Sequence, residues 1–310
     1  MKKIKVGIIY GGDSCEHEVS LMTADSILKN IDREKFKVVE ISVDKQGNFD
    51  HKLLDDIDIA FLAFHGENYE DGKFQEFLGA KNIKYSGSGV LASEINMNKD
   101  LQKRYFREAG LKTANFITVT AKDSINQIKK IIDETIGYPC ILKPTNTGSS
   151  LGITKVENSD QISKAISEAN KISADIIIEQ FIKDRRELEV GVLGNDNLIV
   201  SDPGEVLTHN EVYSYEAKYF KPFKTSVEAK NLSEETVAKI KDWVEKAYRA
   251  TGCRGYSRID FFLAVSGELY INEINTLPGF TKISMFPKLM LKMGISYKDL
   301  ITKIIELGLE

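Results

Sequence analysis

The sequence has few of the features that mark secreted, disulfide-bonded or membrane proteins. Its three cysteines, Cys15, Cys140 and Cys253, lie far apart and form no CxxC pair, which argues against a disulfide framework or a zinc site. No run of about 18 apolar residues occurs, so we expect no membrane-spanning helix. The apolar run near the start has about five residues, shorter than the roughly 7 to 15 of a secretory signal. The reducing cytoplasm is therefore the expected location.

The sequence also lacks an excess of positive charge and two common nucleotide-binding motifs. A net charge of -4 gives no general electrostatic reason to bind nucleic acid or an anionic membrane. The segment GGDSCE is not the G-x-G-x-x-G fingerprint of NAD-dependent oxidoreductases, which disfavours that function. The loop KPTNTGSSLG, residues 143–152, lacks the GKS or GKT ending of a P-loop. Small-molecule chemistry is the favoured class of function.

The N-terminal third of the chain alternates short apolar runs with helical patterns, which is typical of an α/β domain. KVGIIY and IDIAFLAF have the length and continuous apolar character of strands buried in a parallel sheet. Sites in such open sheets lie beyond the carboxyl ends of the strands. Because Gly11 and His65 lie at such ends, we predict a Rossmann-like domain over residues 1–96 that contributes to a site.

The pattern changes to α+β near residue 97. A helix is predicted from Lys99 to Ala109, and the runs YPCILKP, LGITKV, DIIIEQFI and ELEVGVLGNDNLIV predict mostly antiparallel strands. We place a small central domain at 97–183 and a C-terminal domain at 184–310. The polar and aromatic segment from about 208 to 225 shows no clear period, and loops of that length are usually functional lids or disordered.

The segment GYSRIDFFLAVSGELYINEIN predicts a β-hairpin in which two acidic side chains face each other. If the SG dipeptide forms the whole loop, Asp260 lies directly opposite Glu273. Arg258 then lies opposite Asn275 on the same face. A three-residue loop would shift this pairing by one position. Like charges placed directly opposite each other destabilise a sheet, so the acidic pair requires a compensating group.

The acidic pair has two interpretations. Asp260 and Glu273 are either solvated carboxylates on an outer face or ligands of a hard cation, with Asn275 as a third oxygen donor. The continuously apolar opposite face, with Ile259 and Phe261, favours the cation. Magnesium suits the pair because it takes one or two carboxylates and completes its shell with water and phosphate oxygens. We expect a divalent cation to be the group that relieves the repulsion.

The loop KPTNTGSSLG is interpreted together with this pair. Lys143 lies at a strand end and can neutralise phosphate charge, while backbone N–H groups of residues 147–150 can surround phosphate oxygens. A flexible hairpin tip is the alternative for the loop alone. With the paired carboxylates, the loop indicates a magnesium nucleotide site.

Several stretches, in order along nearly the whole chain, resemble the D-alanine:D-alanine ligases of the ATP-grasp superfamily. They are GGDSCEHEVSL, FHGENYEDGKFQ, YSGSGVLAS, MNKD, KPTNTGSSLG, YEAKY, RIDFF and NEINTLPGF. The resemblance implies an ATP-grasp fold, with ATP held between the central and C-terminal domains. It also implies that ATP converts the carboxylate of one D-alanine into an acyl phosphate, which the amine of a second D-alanine attacks, as a step of peptidoglycan synthesis.

The resemblance implies residues for the metal and for ATP. Asp260, Glu273 and Asn275 hold magnesium, with two ions expected and Mn²⁺ as an alternative. The residues implied for ATP are Lys99, Lys143, Ser150, Glu179, Phe181, Ile182, Glu187 and Lys218. The lysines pair with phosphates, Glu179 meets the adenine amino group, and Glu187 accepts ribose hydroxyls. This chain departs from the family beside the base, where Gln180 replaces a common lysine and the turn at 183–186 is one residue longer.

The resemblance also implies substrate-binding and catalytic residues. They are Glu16, His65, Ser149, Tyr219, Arg258, Gly279, Ser284 and Met285. The first D-alanine binds Glu16 and His65, and Arg258 with the Gly279 N–H stabilises the acyl phosphate and the tetrahedral adduct. Hydrogen bonds from Ser149 and Tyr219 to Glu16 close the lid, and Ser284 with the backbone of Met285 receives the second carboxylate.

Some of these assignments have alternatives. Asp13 and Glu16 have the spacing of a helix capping box, in which Glu16 would serve only the helix start. His65 has the alternative of a hydrogen-bonded histidine at a strand end. D-serine or D-lactate is the alternative second substrate, although the tyrosine of YEAKY favours an amine nucleophile. A non-catalytic nucleotide-binding regulatory protein is a more distant alternative. The family also implies a homodimer.

Overall fold

The computed structural model describes residues 3–120, 122–148, 151–207, 225–281 and 283–310. Within them the chain forms three β-sheets, one parallel and two antiparallel. Ser149, Ser150, Lys218 and Tyr219 lie outside the described residues, as does nearly all of the predicted lid. No helix in the described part of the chain has the length and apolar character that a membrane span requires.

The first sheet is parallel, as predicted, with strand order β2-β1-β3-β4. Its strands are β1 (Ile4–Gly11), β2 (Phe36–Val43), β3 (Ile59–Leu62) and β4 (Lys84–Tyr85), joined through α1 (His17–Asn30), a 3₁₀ helix (His51–Asp56) and α2 (Lys73–Ala80). Val6, Ile8 and Ile9 are fully buried. Neighbouring side chains on β1 point to opposite faces, so burial of both Ile8 and Ile9 shows that the sheet is covered on both sides.

Two short helices lead from the first sheet to the second. They are α3 (Val90–Met97) and α4 (Lys99–Glu108). The side chain of Asn98 caps α4 by accepting hydrogen bonds from the N–H groups of Asp100 and Leu101. Phe106 of α4 is fully buried in the apolar core of the third sheet. Helix α4 is therefore anchored to that sheet.

The second sheet is antiparallel, with strand order β5-β8-β6-β7. Its elements are β5 (Phe116–Thr120), α5 (Ile125–Thr135), β6 (Cys140–Pro144), β7 (Thr154–Val156), a 3₁₀ helix (Ser159–Gln161), α6 (Ile162–Ala169) and β8 (Asp175–Gln180). Helix α6 buries Ile162, Ala165, Ile166 and Ala169. This spacing is the apolar stripe of a helix that packs on a sheet.

The third sheet contains the predicted acidic hairpin. Its elements are β9 (Arg185–Leu193), β10 (Ile199–Val200), β11 (Gly204–Val206), β12 (Thr225–Ser226), α7 (Glu234–Ala250), β13 (Tyr256–Ala264) and β14 (Leu269–Asn275), followed by α8 (Met285–Lys292) and α9 (Tyr297–Leu309). The strand order is β12-β11-β9-β13-β14, with β10 beside β9. Ile259 and Phe261 are fully buried in a core shared with α7, which confirms the predicted apolar face.

The predicted pairing of Asp260 with Glu273 is confirmed, but the loop of the hairpin differs from the two-residue loop that was assumed. The N–H of Ala264 donates to the carbonyl of Glu268, so the loop has three residues, with Gly267 in the left-handed region at φ 85°. That loop alone would shift the pairing by one. A β-bulge at Asn272 restores it, and Asp260 lies opposite Glu273 as predicted.

The first and third sheets share one apolar core. Phe61 of β3 packs in one cluster with Tyr256, Phe280 and Phe286, and four fully buried residues of α9 belong to the same cluster. A close backbone approach accompanies this packing, because a Cβ on Gly255 would lie 2.9 Å from the Cα of Gly87. The shared core fixes the carboxyl ends of the first sheet relative to the third.

Replacing Gly255 with alanine should disturb this contact. Its φ of 73° is unfavourable for alanine, and the added methyl would meet backbone. We expect a loss of roughly 3 kcal/mol or more in the free energy of unfolding, measured by urea denaturation. Gly110→Ala is the control, with φ 78° but no atom within 4 Å of the added Cβ, and should cost about 1 kcal/mol. Equal losses would show that the Gly87 contact is unimportant.

Candidate functional site

A cleft of about 1000 Å³ is lined by residues of the second and third sheets and by segments that follow strands of the first sheet. Every described residue that was predicted to bind ATP, metal or substrate lines this cleft. These residues are Glu16, His65, Lys99, Lys143, Glu179, Phe181, Ile182, Glu187, Arg258, Asp260, Glu273, Asn275, Gly279, Ser284 and Met285. The fold therefore brings together residues more than 250 positions apart in sequence, while their individual roles remain predictions.

Buried lysines surround Glu179 on the central wall of the cleft. The carboxylate Oε1 lies 3.0 Å from Lys143 Nζ and 3.4 Å from Lys103 Nζ. Burial alone would raise the pKa of Glu179, but the two ammonium groups outweigh it and lower that pKa. Lys99 donates to the carbonyl of Thr147. Burial lowers the pKa of Lys99 to about 8, against the opposing effect of Glu273.

Lys103 was not predicted from the sequence. It follows Lys99 by four residues on α4, and residues with that spacing share one helix face. Once Lys99 had been assigned to the cleft, this spacing could have predicted that Lys103 lies on the same side of α4.

The side of the cleft that was predicted to contact the adenine base contains an arginine that was also not predicted. The guanidinium of Arg185 lies 5.0 Å from the ring centre of Phe181 and 4.4 Å from that of Phe262. It donates to the carbonyl of Ile182 at 2.9 Å and to the Glu187 carboxylate at 2.7 Å. Burial raises the pKa of Glu187, and Arg185 opposes that rise. Arg185 thus engages two of the groups predicted to contact the nucleoside.

Three carboxylates form a row across neighbouring strands on the opposite wall. Glu189 of β9, Asp260 of β13 and Glu273 of β14 are direct cross-strand neighbours, so their side chains share one face. Glu189 was missed, although it follows Glu187 at the period-two spacing of a strand.

Arg258 neutralises part of this acidic row. Its Nε and Nη2 atoms each donate to an oxygen of Asp260 at 2.7 Å, and Glu189 lies 3.5 Å away. Burial opposes the charge of Arg258, but Asp260 and Glu189 outweigh it and raise its pKa well above the ordinary value. Asn275 also donates to Asp260, at 3.1 Å. The expectation that only a divalent cation relieves the repulsion is therefore wrong.

The oxygen donors suit a hard cation, although they form no complete cage. Over the described ranges, no group of three or more His, Cys, Asp or Glu side chains is arranged to hold a metal ion. Two carboxylates and one amide, from Asp260, Glu273 and Asn275, leave most of a magnesium shell to other ligands. That incomplete set fits magnesium bound together with phosphate oxygens and water.

The first-sheet side of the cleft contains Glu16 and His65. No capping box forms, because Glu16 precedes α1 without a side-chain capping bond and Asp13 instead accepts from the Tyr69 hydroxyl at 2.9 Å. Glu16 is buried. His65 contacts Thr23 through Nε2 at 2.8 Å and Glu70 through Nδ1 at 3.4 Å.

Glu70 was not predicted. Burial raises its pKa, against the opposing hydrogen bond with His65, and Glu16 contributes to the rise. The first-sheet side therefore places the Glu70 carboxylate beside the His65 imidazole, with the Glu16 carboxylate near enough to act on Glu70. Only the tertiary packing revealed this set, although Glu70 lies in the recognised stretch FHGENYEDG.

The last part of the cleft is the start of α8. Ser284 precedes the helix, its Oγ accepts from the Thr281 N–H at 3.1 Å, and a Cβ on residue 279 would come within 2.9 Å of that Oγ. Glycine at 279 thus allows a close approach of the two segments. Backbone N–H groups at a helix start favour an anion, which suits the predicted carboxylate site at Ser284 and Met285.

Removing the Arg258 side chain should leave the repulsion among the carboxylates of the acidic row uncompensated. We expect Arg258→Met to lose about 3–5 kcal/mol of unfolding free energy at neutral pH, because buried carboxylates lose their cation. Urea denaturation measures the loss. Arg186→Met is the matched control on the same sheet: it pairs with Glu205, but its side chain is 30% exposed against 11% for Arg258. The control should lose about 1 kcal/mol or less, and an equal effect would contradict the repulsion argument.

Comparison with known proteins identifies the family. The chain matches the D-ala D-ala ligase C-terminus over residues 105–306 and the D-ala D-ala ligase N-terminus over residues 5–54. It is 39% identical to the D-alanine--D-alanine ligase of Ruminiclostridium cellulolyticum, and the match covers 100% of this chain and 96% of the relative.

Solved structures agree with the sequence comparison. The VanG D-Ala:D-Ser ligase from Enterococcus faecalis is similar with a TM-score of 0.89 and 30% identity, covering 99% of this chain and 100% of the other. The D-alanine-D-alanine ligase from Coxiella burnetii also has a TM-score of 0.89, at 27% identity, covering 100% and 94%. The parallel first sheet and the two antiparallel sheets are those of the ATP-grasp fold, as predicted. The chain therefore belongs to the D-alanine--D-alanine ligase family.

Proposed function

We propose that the protein joins two molecules of D-alanine at the expense of ATP, through an acyl phosphate, for peptidoglycan synthesis. The observation that carries this proposal is the cleft itself, in which Lys143 and Glu179 on one wall face Arg258 and the acidic row on the other. One wall supplies cations for phosphate oxygens and the other supplies carboxylates for a metal. Family membership over the full chain supports the same reaction.

ATP is proposed to bind with its base toward Glu179 and the backbone of Phe181 and Ile182. Glu187 is the acceptor for the ribose hydroxyls. Its carboxylate also accepts a hydrogen bond from Arg185. Lys99 and Lys143 are proposed to neutralise the phosphates. Outside the described residues, Lys218 is assigned the same task, and the backbone N–H of Ser150 is assigned to surround phosphate oxygens. These residues lower the barrier by positioning the reactants and by neutralising charge, the main contributions in phosphoryl transfer.

Asp260, Glu273 and Asn275 are the proposed metal ligands. The expected metal is magnesium, as two ions, with Mn²⁺ as an alternative. When bound, the metal supplies positive charge to phosphate oxygens. Arg258 donates hydrogen bonds to both carboxylate oxygens of Asp260, which fixes the orientation of that carboxylate in the cleft.

The two proposed D-alanine sites are formed by different segments that line the same cleft. Glu16 and His65 are proposed to receive the first D-alanine, and Ser284 with the Met285 backbone the carboxylate of the second. Arg258 and the N–H of Gly279 stabilise the negative charge that develops between them. The hydrogen bonds assigned to Ser149 and Tyr219 would then close the site against water.

D-serine is the second candidate for the incoming substrate. The structural likeness to VanG, a D-Ala:D-Ser ligase, equals the likeness to the Coxiella burnetii D-alanine ligase. The higher identity with a D-alanine--D-alanine ligase favours D-alanine. We further propose the three-domain division at residues 1–96, 97–183 and 184–310, a homodimer, and a cytoplasmic location.

An acceptor comparison tests the proposed function. ADP formation should require D-alanine, and D-alanine should exceed D-serine and D-lactate as the second substrate at neutral pH. The measurement is coupled ADP release with each acceptor from pH 6 to 9, with product identified by mass. A preference for D-lactate at neutral pH, or no dependence on D-alanine, would refute the assignment.

The acidic row should be required for turnover. We expect Asp260→Asn and Glu273→Gln each to lower kcat by roughly 10²-fold or more, the loss typical of removing one charge-stabilising group. Far-ultraviolet circular dichroism should show that both variants remain folded. Glu268→Gln is the control, because Glu268 lies on the same hairpin, is exposed and pairs with Lys112 away from the cleft. Near-normal activity of both cleft variants would remove the metal proposal.

A further inference from the structure

Lys103 is a buried cation that the proposed chemistry has not used. Its side chain is 1% exposed, whereas lysine ammonium groups normally stay in water. Its Nζ contacts two partners, Glu179 Oε1 at 3.4 Å and the carbonyl of Asn272 at 3.2 Å. Such deep burial is costly unless the charge is paired and hydrogen-bonded, and these two contacts supply that compensation.

The two partners belong to different walls of the cleft. Glu179 lies on β8 of the second sheet, and Asn272 is the extra residue of the bulge in β14. That bulge is what places Glu273 opposite Asp260. Lys103 itself is on α4, which Phe106 anchors to the third sheet. The ammonium group of Lys103 thus contacts both Glu179, the carboxylate assigned to adenine, and the β-bulge at Asn272, which aligns the acidic row.

The charges around Glu179 change when a nucleotide enters. Lys143 and Lys103 share one carboxylate oxygen of Glu179. If Lys143 pairs with a phosphate of ATP, as proposed above, Glu179 is left as a buried carboxylate with one fewer cation. Lys103 cannot follow the phosphates without leaving the Asn272 carbonyl. It is therefore the cation that remains with Glu179.

We propose that Lys103 is a positioning residue of the nucleotide site, which holds Glu179 ionised and directed at the base while Lys143 engages the phosphates. The inference rests on the proposed function only in that the cleft binds ATP. It assigns the recognition of the purine 6-amino group to a Lys103–Glu179 unit instead of to Glu179 alone.

The test compares binding of ATP and ITP by isothermal titration calorimetry, with magnesium and without D-alanine. ITP carries an oxygen where ATP carries the 6-amino group, so the wild-type protein should prefer ATP by about 10- to 100-fold, the range for a hydrogen bond to a charged group. In Lys103→Met the ratio of the two Kd values should fall to within about threefold, while the Kd for ATP rises roughly tenfold. Lys103→Arg should recover part of the preference.

Lys112→Met is the matched control. Lys112 also pairs with the acidic hairpin, through Glu268, but it is exposed and outside the cleft. This variant should keep the wild-type preference for ATP. A lower melting temperature of Lys103→Met with an unchanged ATP to ITP ratio would show a purely structural role and overturn the proposal.

The double variant Lys103→Met/Glu179→Gln controls for the instability that follows when one buried charge loses its partner, because it removes the charges of both Lys103 and Glu179. If Lys103 acts through Glu179, adding Lys103→Met to Glu179→Gln should leave the ATP to ITP ratio unchanged. A further change in that ratio would overturn the inference. Wild-type protein that binds neither nucleotide would refute the proposed function as well, so the two failures are distinguishable.

Discussion

The cross-strand contact between Asp260 and Glu273 is the constraint around which the cleft is organised. A bulge at Asn272 enforces it, because the three-residue hairpin loop would otherwise pair Asp260 with a neighbour of Glu273. Two adjacent carboxylates inside a cleft are unfavourable unless cations lie nearby. Arg258 supplies one such cation from the same strand. The site is thus partly neutralised before any ligand arrives, and its remaining negative charge is available to a metal.

The facing wall repeats this arrangement with the signs reversed. Lys99, Lys103 and Lys143 converge on a buried region where Glu179 provides a compensating carboxylate. Each wall is therefore only partly neutralised, and one wall presents net positive charge and the other net negative charge to the cleft. The proposed magnesium nucleotide would complement both walls, since its phosphates suit the lysines and its metal suits the acidic row. Ion pairs inside each wall fix the orientation of these groups.

Rigid packing delivers these groups to one place. The first and third sheets share an apolar core, so the segments that contain Glu16 and His65 are fixed relative to Arg258. The second sheet connects differently, through α4 and its buried Lys103. The close approach of Gly87 and Gly255 belongs to the first connection. The proposed substrate and nucleotide sites consequently depend on different parts of the fold for their alignment.

Local patterns in the sequence were sufficient for much of this picture. The apolar runs predicted the parallel first sheet, the period-two pattern placed Arg258, Asp260 and Asn275 on one face, and ordered motifs indicated the family. Strand alternation and motif spacing are local properties, so a single sequence carries them. The tertiary structure decided which charges meet: Arg258 on Asp260, Lys103 on Glu179, Glu70 on His65 and Arg185 on Glu187. The pairing of Lys103 with Glu179 depends on the distance between α4 and β8, which the packing of the sheets sets and no local pattern encodes. The other three pairs join residues two to five positions apart, and it is their burial within the cleft that the tertiary structure decided.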